Sequence, residues 1–254
     1  MPFESATLWL FFLAVFRLAP LFLLPKISPF FRTPVLVRLI LMAATCLLLV
    51  AVQPASASVA LPQSGLEAVV ALVGESLVGL ALALALYMAF AVLNFYGHLL
   101  DLQIGFGAAG IFDPTTQSAG ALLGSALTLT GVVLFFSFGF QRQMIRGLAA
   151  SVAAVPLGSP ITLQNPMWLA ELLGRAFVFG LLVVAPVVIG LFLTDVAVAF
   201  SSRMMPQVNV YFLGLPLKIG FGVVLLALSL SYMGPAIARL FQQGFASWGQ
   251  ALGT

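Results

Sequence analysis

The chain has 254 residues, 62% of them hydrophobic and only 7% charged, with a formal net charge of +3. Soluble domains carry about 25% charged residues. A shortage this large cannot cover a water-facing surface, so it puts the chain in a bilayer or among equally apolar partners. The basic residues are scattered, which excludes a nucleic-acid footprint. The single cysteine, Cys46, lies in an apolar run, cannot close an internal disulfide and reads as a packing residue.

No cleavable signal is expected at the start, because Met1-Pro2-Phe3-Glu4 lacks a basic n-region. The first apolar segment runs from Leu8 to Leu24 and stops at Pro25; the second runs from Val35 to Val52 and stops at Pro54. Arg32 and Arg38, the run from Leu39 to Val52 and Ala55-Ser56-Ala57 imitate a signal sequence with its cleavage site. Their internal position, after another apolar segment, favours a membrane helix and loop. Gln53 to Gly65 is a loop. Segment three runs from Leu66 to Leu100 and segment four from Ala119 to Phe138, followed by a loop with prolines at 156, 160 and 166. Segment five runs from Met167 to Phe200 with Pro186 inside it, and segment six from Leu213 to about Phe245. Strand-type alternation is absent and alanine and leucine dominate, so the fold class is all-α, built of membrane-type helical hairpins.

Segments three and five are too long for simple spans. Each holds about 35 residues, or about 50 Å of helix, where a bilayer needs about 20 residues. Pro186 offers a kink or turn in segment five; segment three has only Gly74 and Gly79 in its first half. Lys26, Arg32 and Arg38 place the first loop in the cytoplasm by the positive-inside rule. Six plain spans then send Arg142 and Arg146 to the other side, whereas a hairpin in segment three restores them, and one in segment five does the same for Arg203. Two segments are therefore hairpins, or the chain does not sit in a bilayer as ordinary spans.

The densest motif is Asp101-Leu102-Gln103-Ile104-Gly105-Phe106-Gly107-Ala108-Ala109-Gly110-Ile111-Phe112-Asp113-Pro114. Gly105-x-Gly107-x-x-Gly110 matches the dinucleotide fingerprint in letters only. A helical run precedes it where a strand is required, and Asp113 comes too soon for the ribose acid. Glycines instead permit positive φ and close backbone approach, and Phe106, Ile111 and Phe112 supply bulk that can fill a hole. Irregular backbone survives at membrane depth only where it lines a cavity or is buried in protein. The motif therefore reads as a loop that lines or closes a cavity, or as a plain interfacial turn.

Arg17, Glu75 and Asp195 fall inside apolar segments, where a charge costs at least about 2.5–3.5 kcal/mol. They must pair, line water or contact another subunit, and Arg17 with Glu75 is read as making polar contacts inside an assembly. His98, the only histidine, stands three residues before Asp101 and shares a helical face with it; a structural hydrogen bond fits better than a proton relay. Gly120-x-x-x-Gly124 can seat a close helix contact. A second dense patch runs from Met204 to Lys218, where Gln207 and Asn209 between Pro206 and Pro216 can bond exposed helix ends. No Walker A, HExxH or G-x-S-x-G motif is present. With one histidine and one cysteine, no metal, cofactor or enzymatic activity is expected.

The two patches, in this order, resemble the FliR family of the flagellar type III export gate and its virulence-secretion counterparts. The resemblance is carried by Arg17 and Pro20, the turn from Pro25 to Arg38, Glu75 and Gly79, Gly97 through Gln103-x-Gly105 to Asp113-Pro114, and Pro206-Gln207-x-Asn209 to Gly214-x-Pro216. It implies a fusion of P-type and Q-type gate subunits. Residues 1–166 are then P-like, with a plug loop at 103–118, and residues 167–254 are a Q-like helical hairpin and C-terminus.

The resemblance further implies a helical, pore-enclosing assembly with P-type and Q-type subunits and with the B-type and A-type export membrane proteins. Much of that core is lifted out of the bilayer plane of the bacterial inner membrane, inside the flagellar basal body, in contact with membrane lipid. Unfolded proteins would cross it, driven by the proton motive force. The plug would comprise Gly105, Phe106, Gly107, Ala108, Gly110, Ile111, Phe112, Asp113 and Pro114. Subunit contacts or buried polar positions would be Arg17, Glu75, Asp101, Gln103 and Asp195. A conformational loop would comprise Pro206, Gln207, Asn209, Gly214 and Pro216. Two departures are visible: Phe140 and Gln141 stand where the family usually has Gly-His, and Ala108 stands where a bulky apolar residue is common. The alternatives are a secondary transporter of a small solute, suggested by Pro186 and Asp195, a non-transporting scaffold, or the equivalent virulence-system subunit.

Overall fold

The computed structural model describes residues 2–24, 30, 33–53, 61–106, 122–159, 167–204 and 210–252, whose regular structure is helical with no strand. Seven helices occur among them: α1 Pro2–Leu23, α2 Val35–Val52, α3 Gly65–Ile104, α4 Leu122–Ser137, α5 Phe140–Ala154, α6 Trp168–Met204 and α7 Val210–Leu252. The all-α expectation is met. The second segment coincides with α2, which opens behind Pro34, whose carbonyl accepts the Arg38 N–H at 3.2 Å. At the start of α3 the Ser64 hydroxyl accepts the Glu67 N–H at 3.2 Å, and the Glu67 carboxylate reaches back to the Gln63 N–H at 2.8 Å. Two helix-end donors that have no partner inside the helix are satisfied in this way. The other end of α3 is closed by Gly105 at φ +99°, a left-handed position that glycine occupies without a Cβ clash.

Three expectations change. Neither long segment is a hairpin: α3 is one helix of 40 residues and α6 one of 37, continuous through Pro186. At 1.5 Å per residue each is about 55–60 Å long, nearly twice the apolar thickness of a bilayer. α3 also carries on past Leu100, so Gln103 and Ile104 belong to its last turn rather than to a loop. Second, residues 140–154 are not loop but helix α5. Phe140, Met144, Leu148, Ser151 and Val152 recur every three or four residues and are buried, while Arg142, Gln143 and Arg146 face outward. Third, α7 begins at Val210, so Gly214 and Pro216 are helical.

Among the described residues five helices are long and apolar enough to cross a membrane; α4 and α5, bent by 72° at Phe138-Gly139, make a sixth if taken as one span. The chain is an all-α membrane protein, and many large apolar side chains lie on its outward faces. Leu36 of α2 is 68% exposed, and Ile40 and Leu47 also face outward.

The described residues form two compact units. The first comprises α1, α2, α3 to Phe90, residues 135–174 and α7 from Phe241. Its centre is aromatic: the Phe90 and Phe241 rings lie 4.8 Å apart, and Phe135 and Phe140 close on the same Phe241 ring at 5.5 and 5.4 Å. Phe140, where the resemblance leads to Gly-His, thus fills a hydrophobic cluster that a glycine would leave open. Gly147 seats the Trp248 ring, and Gly244 meets the Ala85 carbonyl.

The second unit comprises residues 91–134 and 175–240. Asn94, Gly97 and Asp101 recur on one face of α3 and all three meet α4. A Cβ on Gly97 would run into the backbone of Gly124, so half of the expected Gly120-x-x-x-Gly124 contact is present, and Gly120 lies outside the described residues. α6 and α7 pair antiparallel: Gly190 lies against Leu225, Leu191 against Gly222, Asp195 against Lys218, and Val198 against Gly214. Three glycines set that register, because lipid supplies no hydrophobic drive between helices and close backbone packing replaces it.

Replacing Gly97 by Val should lower stability by about 1–3 kcal/mol, the usual cost of overpacking. Gly174→Ala, in open space, should change it little. Thermal unfolding of the purified protein in detergent measures both.

Candidate functional site

In the first unit Arg17 and Glu75, which the sequence reads as making polar contacts inside an assembly, contact each other within the chain. Arg17 is 1% and Glu75 2% exposed. Arg17 Nε donates to Glu75 Oε2 at 2.5 Å, and Nη1 donates to the Val155 carbonyl at 2.8 Å and the Ser151 carbonyl at 3.4 Å. Those carbonyls end α5, so the guanidinium sits at the negative pole of that helix. Glu75 Oε1 accepts the Gly158 N–H at 2.8 Å, where Gly158 turns the chain at φ +82°. One cation and one anion thereby tie α1, α3 and the end of α5. Gly79, one turn beyond Glu75, makes this possible: a side chain there would strike the Arg17 carbonyl. Nearby, the Tyr87 hydroxyl donates to the Leu21 carbonyl, a second cross-tie between α3 and α1. Ser151, Val155 and Gly158 take part through backbone atoms, which no side-chain pattern reveals, although Pro156, Gly158 and Pro160 mark a turn there.

In the second unit Asp101 is buried, and its carboxylate accepts the Leu123 N–H at 3.0 Å and the Gly124 N–H at 3.2 Å. It serves as the anionic cap of α4, whose first N–H groups have no helical partners. His98 is exposed and Asp101 buried, so the shared face expected for them is not formed. Gln103 is exposed on the last turn of α3. Asp195 is not buried: its side chain is 54% exposed and pairs with Lys218 at 2.7 Å. Because α7 winds Lys218 onto the hairpin interface, the charge expected at depth has an immediate counter-ion.

Of the expected plug, Gly105 and Phe106 are described and half-buried, and Gly105 lies against the Leu215 side chain. Gly107, Ala108, Gly110, Ile111, Phe112, Asp113 and Pro114 lie outside the described residues, as do Pro206, Gln207 and Asn209. A groove of about 680 Å³ between α1 and α3 is walled by Phe16, Pro20, Leu23, Val69, Val73 and Leu77. Its one hydroxyl, on Ser76, is engaged by the Leu72 carbonyl. Nothing in it can orient a polar solute. With α6 unbroken at Pro186 and Asp195 at the surface, the broken-helix geometry of a solute transporter is not formed. Among the described residues no cluster of three metal-ligating side chains occurs.

These features define a helical membrane protein whose buried charges join its helices. The family of bacterial export proteins, family 1, matches residues 8–244. The flagellar biosynthetic protein FliR of Pectobacterium carotovorum is 30% identical over 175 residues, 68% of this chain and 67% of its own. That of Aquifex aeolicus is 32% identical over 181 residues, 70% and 69% of the two chains. The Yop proteins translocation protein T of Yersinia pestis is 26% identical over 157 residues, 61% and 60% of the two chains. The chain belongs to this export-protein family, the FliR type of type III export-apparatus subunit. The resemblance drawn from its two motif patches is met.

Removing one partner of a buried ion pair strands the other charge, at about 3–5 kcal/mol. Glu75→Ala and Arg17→Met should each destabilise the protein by that order, and the double variant by less than their sum; a double-mutant cycle of unfolding in detergent reads the coupling. Asp101→Ala should cost about 0.5–2 kcal/mol as a lost helix cap. Asp195→Asn, at an exposed pair, should cost under about 1 kcal/mol.

Proposed function

We propose that this chain is a pore-forming subunit of the flagellar type III export gate. It encloses and plugs the channel through which unfolded flagellar proteins leave the cell. The observation that carries this reading is the family membership together with the stretch from Gly105 to Pro114, where three glycines and three large apolar side chains stand between two apolar helices. Apolar side chains in a constriction exclude water and ions, and glycines let the backbone swing aside for substrate. The subunit's role is gating, with no catalytic step. The flagellar reading is favoured over a virulence system because FliR relatives match more of the chain than the Yersinia protein does.

In this reading residues 1–166 form a P-like part whose plug follows the end of α3 at Ile104, and residues 167–254 a Q-like part. The antiparallel pairing of α6 with α7 supports the latter. The partners are P-type and Q-type subunits and the B-type and A-type membrane proteins of the apparatus, in the inner membrane at the basal body. Outward apolar faces such as that of α2 suit burial against such neighbours. Pro206, Gln207, Asn209, Gly214 and Pro216 form the segment that adjusts when the channel opens.

Deleting Gly107 to Ile111 in the assembled gate should raise ion leakage across the membrane several-fold, read as conductance in proteoliposomes. An unchanged leak in a gate that still assembles would remove the plug role.

A further inference from the structure

We propose that the outer face of α5 is a docking surface for an acidic helix of another protein, one that brings two carboxylates a turn apart to Arg142 and Arg146. These arginines are four residues apart, so they stand on one face, and both are exposed. Neither makes an ion pair among the described residues. The chain supplies no carboxylate to them: none occurs between Asp113 and Glu171, and α2 and α7, which pack against α5, hold none. Glu75, near the other end of α5, is held by Arg17 and the Gly158 N–H. The helix itself adds to the charge. It opens at Gly139 with no side-chain cap and has no acidic residue in its first turn, so its positive pole lies beside Arg142, whose guanidinium packs against Gly139.

Charge complementarity selects an anionic partner, and the rest of the face selects a protein over a lipid surface. A helix that lies on a membrane sinks a free apolar face into it. The apolar face of α5 is already spent on the core of its own unit: Phe140 meets Phe241, Trp248 covers Gly147, and Leu148 and Val152 are buried. Its outer ridge continues from Arg142 and Arg146 through Ala150 to Ala153, both exposed. Side chains spaced by one turn form a ridge that fits the groove of a second helix, and the two alanines let the partner's backbone come close. At the arginine end a carboxylate takes two parallel hydrogen bonds from each guanidinium. A helix with Asp or Glu at i and i+4, followed by small residues, is the complement of this ridge. The surface belongs to the first unit alone and does not depend on the plug or on any role in export.

The test titrates the full chain, purified in neutral detergent, into a fluorescent alanine-rich helical peptide with glutamates at i and i+4, and into its glutamine counterpart. Anisotropy should show the glutamate peptide bound about tenfold more tightly. The variant R142Q/R146Q should bring the two peptides to parity, while R142K/R146K, which keeps the charge, should retain a preference. Raising the salt should shrink the wild-type difference. In native membranes a photoreactive residue in place of Ala150 should cross-link to a protein segment that carries two carboxylates three or four residues apart, identified by peptide mapping. Equal binding of the two peptides by the wild type would overturn the proposal. So would an undiminished preference in R142Q/R146Q, or cross-links from position 150 to lipid or to a segment without carboxylates.

Discussion

The buried pair of Arg17 and Glu75 is the constraint around which the first unit is organised. A charge withdrawn from water in an apolar chain is costly, and its cost is offset only by a partner and further hydrogen bonds in good geometry. Here the guanidinium takes the carboxylate and two carbonyls at the end of α5, and the carboxylate takes one N–H just beyond. Making these bonds requires α1, α3 and the turn after α5 to converge at one point, with Arg17 Nη2 left buried and without a partner. Gly79 then sets how closely α1 and α3 cross. The pair acts as a specifier of arrangement more than as a source of stability, because in a protein with apolar faces everywhere a greasy contact cannot tell right from wrong.

The same logic recurs in the second unit with different chemistry. Asp101 and Asn94 are the polar fasteners between α3 and α4, and Gly97 against Gly124 removes the bulk between them. Between α6 and α7 the fasteners are glycines at 190, 214 and 222 and the Asp195–Lys218 pair. Where solvent does not reward apolar burial, small residues and hydrogen bonds decide the register.

Much of this was legible in the residues, for physical reasons. Proline punctuation bounded α2, and the depth of Arg17 and Glu75 in apolar runs marked them as charges that need polar contacts. Family membership followed from two motif patches. Other features were hidden. α3 and α6 exceed the thickness of a bilayer, which left open whether each is one helix or two, since a helix packed on protein need not match a membrane. α5 was overlooked because its mean polarity resembles a loop, although its apolar residues keep helical spacing. Asp195 seemed buried because its partner, Lys218, lies on the far arm of a hairpin whose register no local pattern reveals.

The aromatic centre of the first unit has a consequence for biogenesis. Phe241 completes the contacts of Phe90, Phe135 and Phe140, Gly244 docks on Ala85, and Trp248 covers Gly147. Helices that leave the ribosome early therefore have no finished core to settle into until residues 241–251 have been translated and inserted. In the interval they present bare apolar surface to the insertion machinery, and a chain cut short before Phe241 is an orphan that quality-control proteases can recognise.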